Sequence, residues 1–314
     1  MSGEMDTTEL AKTFRDWMGY RNNNYLFKIT VSKCINSWND PRKNSLKLHL
    51  KHLLTKTTVD AWKEIMTIYS SLVPLITEDI VTDDGEYVDW RILKSNNGCT
   101  IYTARLNGID VIVKTYLSVE RNPYAVREDT ISNALCENGL RVPKRYKSFN
   151  TYHYFCIPML KLDTTLLDIY QASSDGIGLD KTRSIIHAFV PVLQYLHKNR
   201  LCYVDFSCGN VAFLDGEPHM IDFGALHEAY PHRPIAKTIR YASINAEKDN
   251  AVDYMDDLQS LGFVICEALL GPSIDLDNKP LLIQESLDGK HGVFLRDYFS
   301  ALGKNDPYIE LLSL

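Results

Sequence analysis

The chain has 314 residues, 45% of them hydrophobic, and a formal net charge of −6. That is enough apolar material to close one large core or two modest ones, which excludes a disordered tail. The acidic balance argues against bulk attraction to nucleic acid, so partners must be sought at particular sites.

No apolar run reaches the roughly 18 to 20 residues that span a bilayer, and the opening MSGEMDTTEL lacks the basic-then-apolar order of a signal peptide. The expectation is a cytoplasmic or nuclear protein with a protein substrate or binding partner and no membrane contact. Its seven cysteines form no CxxC pair and no metal-ligand spacing with the nine histidines, so reduced thiols are expected.

In chain order, the first predicted helix covers residues 41–54. Asp40 is its N-cap, Pro41 its first residue, and Leu46, Leu50 and Leu53 share a face. Lys43, Lys47 and Lys51 on the other face suit phosphate or acidic protein, though a solvated face is the plainer reading. A second helix over 60–73 carries Trp62, Ile65, Tyr69 and Leu72 at helical spacing and stops before Pro74. Near VTDDGEYVDW (81–90) the pattern changes to strands. Residues 100–106 and 109–116 alternate around Asn107-Gly108, the dipeptide suited to a type I′ hairpin. A helix follows over 124–136, then strands over 144–149 and 152–157, and long helical patterns after Pro158. One helix starts near Asp180 with Ile185, Phe189, Leu193 and Leu196 on a face, and Pro191 inside it costs a hydrogen bond or a kink. Another holds Leu258, Leu261, Ile265 and Leu269 and ends at Gly271-Pro272. The expected architecture is α+β: a helical extension (1–85), a small β-rich lobe (86–157) and a larger helical lobe (158–314), with a small-molecule site between the lobes.

Phosphoryl transfer needs cations on the phosphates, metal ions for the developing charge and a carboxylate that orients the attacking hydroxyl. The chain supplies them in order: Lys114 closing VIVK, Glu128 in the following helix, Asp205 five before Asn210, and Asp222-Phe223-Gly224.

With those motifs, residues from about 86 onward resemble a protein kinase catalytic domain. TIRYASINAEKDN (238–250), with Ser243-Ile244-Asn245 where most kinases have Ala-Pro-Glu, and DDLQSLGFVICEALLG (256–271) are similar to the casein kinase I and vaccinia-related kinase group, as is the terminal NDPYIELLSL. The resemblance implies ATP and Mg2+ as cofactors. It implies that Lys114 holds phosphates, Glu128 pairs with it, Asp205 is the catalytic base, and Thr238 contacts that Asp. Asn210 and Asp222 become the metal ligands. Asp257 braces the catalytic loop, and the adenine meets the hinge over 158–161, at Met159 and Leu160.

The glycine-rich loop departs from the family pattern. Its three glycine positions are Lys94, Asn96 and Cys99, with Gly98 alone nearby, so weak or unusual nucleotide binding is expected. The usual His-Arg-Asp is Tyr203-Val204-Asp205, which removes the arginine that receives an activation-loop phosphate. Ser207 replaces a lysine that neutralises the transferring phosphate. Degeneracy of this kind is familiar among virus-encoded members of the group. Two readings stand at this point: a divergent serine/threonine kinase of low activity, and a pseudokinase that binds or scaffolds partners.

Overall fold

The computed structural model describes residue 52 and residues 76–96, 99–117, 123–151, 154–228, 237–248 and 250–314. The helices expected over 41–54 and 60–73 lie outside these residues apart from His52, which is helical. The rest is a mixed α+β structure in two compact units. The first holds the described residues up to Asp129 with Arg145–Lys161, and the second Thr130–Lys144 with Leu162–Leu314.

In the first unit, β1 (Ile80–Thr82), β2 (Gly85–Asn96), β3 (Cys99–Leu106), β4 (Ile109–Leu117), β5 (Phe149–Asn150) and β6 (Tyr154–Leu160) form a sheet in the order β1-β2-β3-β4-β6-β5. All its pairings are antiparallel. The predicted β3–β4 hairpin is present: Asn107 and Gly108 have φ of 51° and 87°, both positive as a type I′ turn requires. Alternation does the rest. Thr100, Tyr102, Ala104 and Leu106 point one way and are buried, and the register aligns Tyr102 with Val113 and Pro158 on that face. The opposite face carries the row Ile101, Lys114 and Ile157. Two register shifts bend β2, one of them at Asp89 with φ 58°. The sheet curls until its ends meet: the Lys147 N–H donates to Asp84 Oδ2 at 2.7 Å, and the Tyr87 and Phe149 rings lie 5.0 Å apart.

That contact explains one correction. The strand expected over 144–149 shrinks to Phe149–Asn150 and a single bridge from Arg145 to Met159. Side chains capture this segment instead, Asp84 at the Lys147 amide and Asp129 at the Arg145 guanidinium, 2.6 Å away. A second difference is that β6 runs through Pro158 to Leu160. The Pro158 nitrogen and carbonyl face away from β4, so the missing N–H breaks no rung there, and the carbonyl accepts from the Tyr146 N–H at 3.2 Å.

Helix α1 (Pro123–Glu137) begins in the first unit and ends in the second. The second unit continues with β7 (Thr164–Thr165), α2 (Leu166–Ala172), α3 (Leu179–Lys198), β8 (Leu201–Cys202), β9 (Val211–Leu214), β10 (Glu217–Met220) and β11 (His227–Glu228). It closes with α4 (Ile244–Glu247), α5 (Tyr254–Leu270), α6 (Lys279–Leu287), α7 (Val293–Ala301) and α8 (Pro307–Leu312). The expected stripe Ile185, Phe189, Leu193 and Leu196 of α3 is fully buried, in one core with Leu258, Leu261 and Ile265 of α5. Helix α3 continues through Pro191, and α5 stops at Gly271, whose φ of 91° suits glycine alone. Among the described residues no helix is long and apolar enough to cross a membrane.

Candidate active site

In the first unit the candidate residues gather around Lys114. The strand period sets Lys114 and Tyr116 on the face that meets the start of α1, where Tyr116, Ala125 and Ile157 form a small apolar cluster. Lys114 and Glu128 are 7% and 2% exposed, and the ammonium lies 2.8 Å from Glu128 Oε1. The Tyr116 hydroxyl donates to the other carboxylate oxygen, and burial, then the Glu128 charge, pushes its pKa far above the ordinary phenol value. Glu128 is thus held at both oxygens. Tyr116 was missed in the sequence, although its position two after Lys114 on a strand carries the signal.

The remaining candidates of this unit share that sheet. Lys94 is exposed and pairs with Ile101, itself paired with Lys114, so both lysines belong to one face. The β2–β3 ladder continues to Asn96 opposite Cys99, whose half-buried side chain packs against the Tyr116 cluster. Met159 and Leu160, both half-buried, close β6 opposite Ile112 and Val111.

The second unit gathers the other group. Thr238 Oγ1 donates to Asp205 Oδ1 at 2.7 Å, and Asn210 Nδ2 donates to the Asp205 carbonyl at 2.7 Å. The Asn210 carbonyl in turn accepts the Ile221 N–H at 3.1 Å, which ties this loop to the residue before Asp222. Asp222 has φ 62°, and its Oδ1 accepts from the Gly224 N–H at 3.2 Å. Because the Asn210 amide nitrogen is engaged inward, its Oδ1 is the atom left for a cation. Among the described residues no group of three or more His, Cys, Asp or Glu could hold a metal. Magnesium needs none, since it keeps water and takes phosphate oxygens beside one or two protein ligands.

Aromatic packing and a buried carboxylate support this loop. The Tyr203 ring lies 4.8 Å from Phe206 and 5.7 Å from Phe223, and its hydroxyl donates to the Ile221 carbonyl. Asp257 accepts the Tyr203 and Val204 N–H groups at 2.6 and 2.8 Å. Val204 needs that hold: its φ of 66° is a conformation that costs a β-branched residue about 1 to 3 kcal/mol. Ser207 is half-buried and precedes the short 3-10 turn Cys208–Asn210.

No protein-family model matches the chain. Over 130 residues, 38% of its length, it is 28% identical to the serine/threonine-protein kinase PknA of Nostoc sp.. The chain is similar there to a protein kinase. The match spans 23% of that relative, so the likeness reaches the protein kinase superfamily and no finer group.

Proposed function

We propose that this chain is a divergent serine/threonine protein kinase of the casein kinase I and vaccinia-related type, transferring the γ-phosphoryl of Mg-ATP to a protein hydroxyl. In this reading the helical extension is 1–85, and residues 86–157 and 158–314 are the small and large lobes. The observation that carries it is the Thr238–Asp205–Asn210 arrangement, with hydrogen bonds of 2.7 Å on the Asp205 carboxylate and on its carbonyl. A carboxylate held on one oxygen by a hydroxyl can take the proton of an attacking alcohol on the other. The alcohol oxygen then bonds to the γ-phosphorus as the bond to the ADP oxygen breaks. Lys114, kept oriented by Glu128, would hold the phosphates, with Lys94 as a further charge on that face. Asn210 Oδ1 and the Asp222 carboxylate would hold magnesium, which supplies neutralisation of the phosphate charge. Met159 and Leu160 would offer backbone groups to the adenine.

One observation favours a second reading, a pseudokinase acting as a binding or scaffold protein. The β2–β3 ladder is paired as far as Asn96 and Cys99, leaving only Asn97 and Gly98 between them. Phosphates are cradled by open backbone N–H groups, which a closed ladder withholds.

A thermal-shift titration with ATP, with and without magnesium, separates the two. The kinase reading expects a magnesium-dependent shift of about 2.7 kcal/mol at roughly 100 times Kd, lost in Asp222→Ala. It also expects phosphate transfer abolished in Asp205→Asn. No shift at millimolar ATP would leave the scaffold reading standing.

A further inference from the structure

The arrangement that holds Asp205 extends to the far end of the chain. Asp257 of α5 takes backbone N–H groups on both oxygens, from Tyr203 at 2.6 Å and Val204 at 2.8 Å. Its Oδ2 is also 2.9 Å from Nε2 of His197, near the end of α3, and both side chains are buried. Since Asp257 is an acceptor at each oxygen, His197 Nε2 carries a hydrogen, and in a neutral imidazole Nδ1 is then the acceptor. The group facing Nδ1 is the hydroxyl of Tyr308 in α8, 2.5 Å away. Burial pushes that phenol up to about 12, so it keeps its proton at neutral pH and has it to donate to Nδ1 of a neutral ring. The Tyr254 ring stacks on the imidazole at 4.8 Å.

We propose that Tyr308 is a positioning residue: bonded to Nδ1, its hydroxyl holds the His197 ring so that Nε2–H meets Asp257, and through Asp257 it steadies the strained backbone at Tyr203 and Val204 that presents Asp205. Only the catalytic consequence rests on the kinase reading. The orientation of the ring and the order of the loop do not.

Tyr308→Phe keeps the ring and removes the hydroxyl. With nitrogen-15 histidine, long-range proton–nitrogen spectra of the wild type give His197 as the Nε2–H form with Nδ1 shifted by an accepted hydrogen bond, and in Tyr308→Phe that Nδ1 shift is lost. Hydrogen exchange at the Tyr203 and Val204 amides quickens about tenfold, the weight of roughly one hydrogen bond. Tyr254→Phe, which keeps the stacked ring, changes neither. In transfer assays Tyr308→Phe lowers kcat about tenfold and leaves the KM for ATP within about twofold, the signature of a misplaced group rather than of lost binding. Unchanged exchange at the Tyr203 and Val204 amides in Tyr308→Phe would overturn the proposal. A wild type that transfers no phosphate overturns the kinase reading instead, and the ring and exchange measurements still decide this one.

Discussion

Glu128 illustrates how unequally the two ways of removing a buried charge pair cost. It is 2% exposed and touches both Lys114 and the Tyr116 hydroxyl. Truncating it takes the paired carboxylate away from a buried ammonium, so Glu128→Ala is expected to lose about 3 to 5 kcal/mol in urea unfolding. Lys114→Met with Glu128→Leu removes both charges and should recover much of that loss, which a double-mutant cycle measures. His219 provides a pH test. Burial, the largest influence, lowers its pKa from 6.5. The folded state therefore prefers the neutral ring: its stability contribution is full above pH 6.5 and is lost as pH falls toward and through the depressed folded value. Stability should drop as the pH falls below about 6.5, and His219→Asn should flatten that slope. At this scale the Lys114–Glu128 pair was legible because a lysine closing a strand and an acid on the next helix form a spaced pattern. The His197–Tyr308 bond was not, because its partners stand 111 positions apart and nothing local links them.

Elements with strong local signals were read almost to their ends. The helix expected over 124–136 is Pro123–Glu137, and the one beginning near Asp180 is Leu179–Lys198. The hairpin of β3 and β4 follows from Asn107-Gly108, and Asp215-Gly216 repeats the device between β9 and β10, with φ of 52° and 81°. The segment over 144–149 shrank as a strand because the Lys147 N–H goes to the Asp84 carboxylate while Asp129 holds the Arg145 side chain, and strand propensity contains no term for that competition. Pro191 supplies a prediction at this level. It interrupts α3 while the helix continues around it, leaving the His187 carbonyl without its usual donor. Pro191→Ala returns that N–H and is expected to stabilise the protein by about 1 to 3 kcal/mol in denaturant titration. A loss of stability would mean that the half-buried proline ring packs better than the restored bond repays.

The whole molecule is best tested through its thiols, which sample both units at once. Cys156 lies on the closed face of the sheet unit, while Cys202, Cys208 and Cys266 lie inside the helical unit, all four buried. Burial raises the pKa of each, Cys266 up to about 12, and a thiol that is neither ionised nor reachable is a poor nucleophile. Alkylation of the native protein should spare these four, whereas in denaturant all seven cysteines react. Peptide mapping after a timed pulse checks this residue by residue. The cysteine spacing leads only to an expectation of reduced thiols, whereas the curled sheet and the packed helices are what bury these four. The curl depends on Asp84 meeting Lys147 across 63 positions, a closure that no local pattern announces. Rapid modification of Cys156 with Cys266 spared would place the weakness in the sheet unit, the unit that holds the Lys114–Glu128 pair. The nucleotide titration would then have to be repeated with that unit's opening measured alongside it.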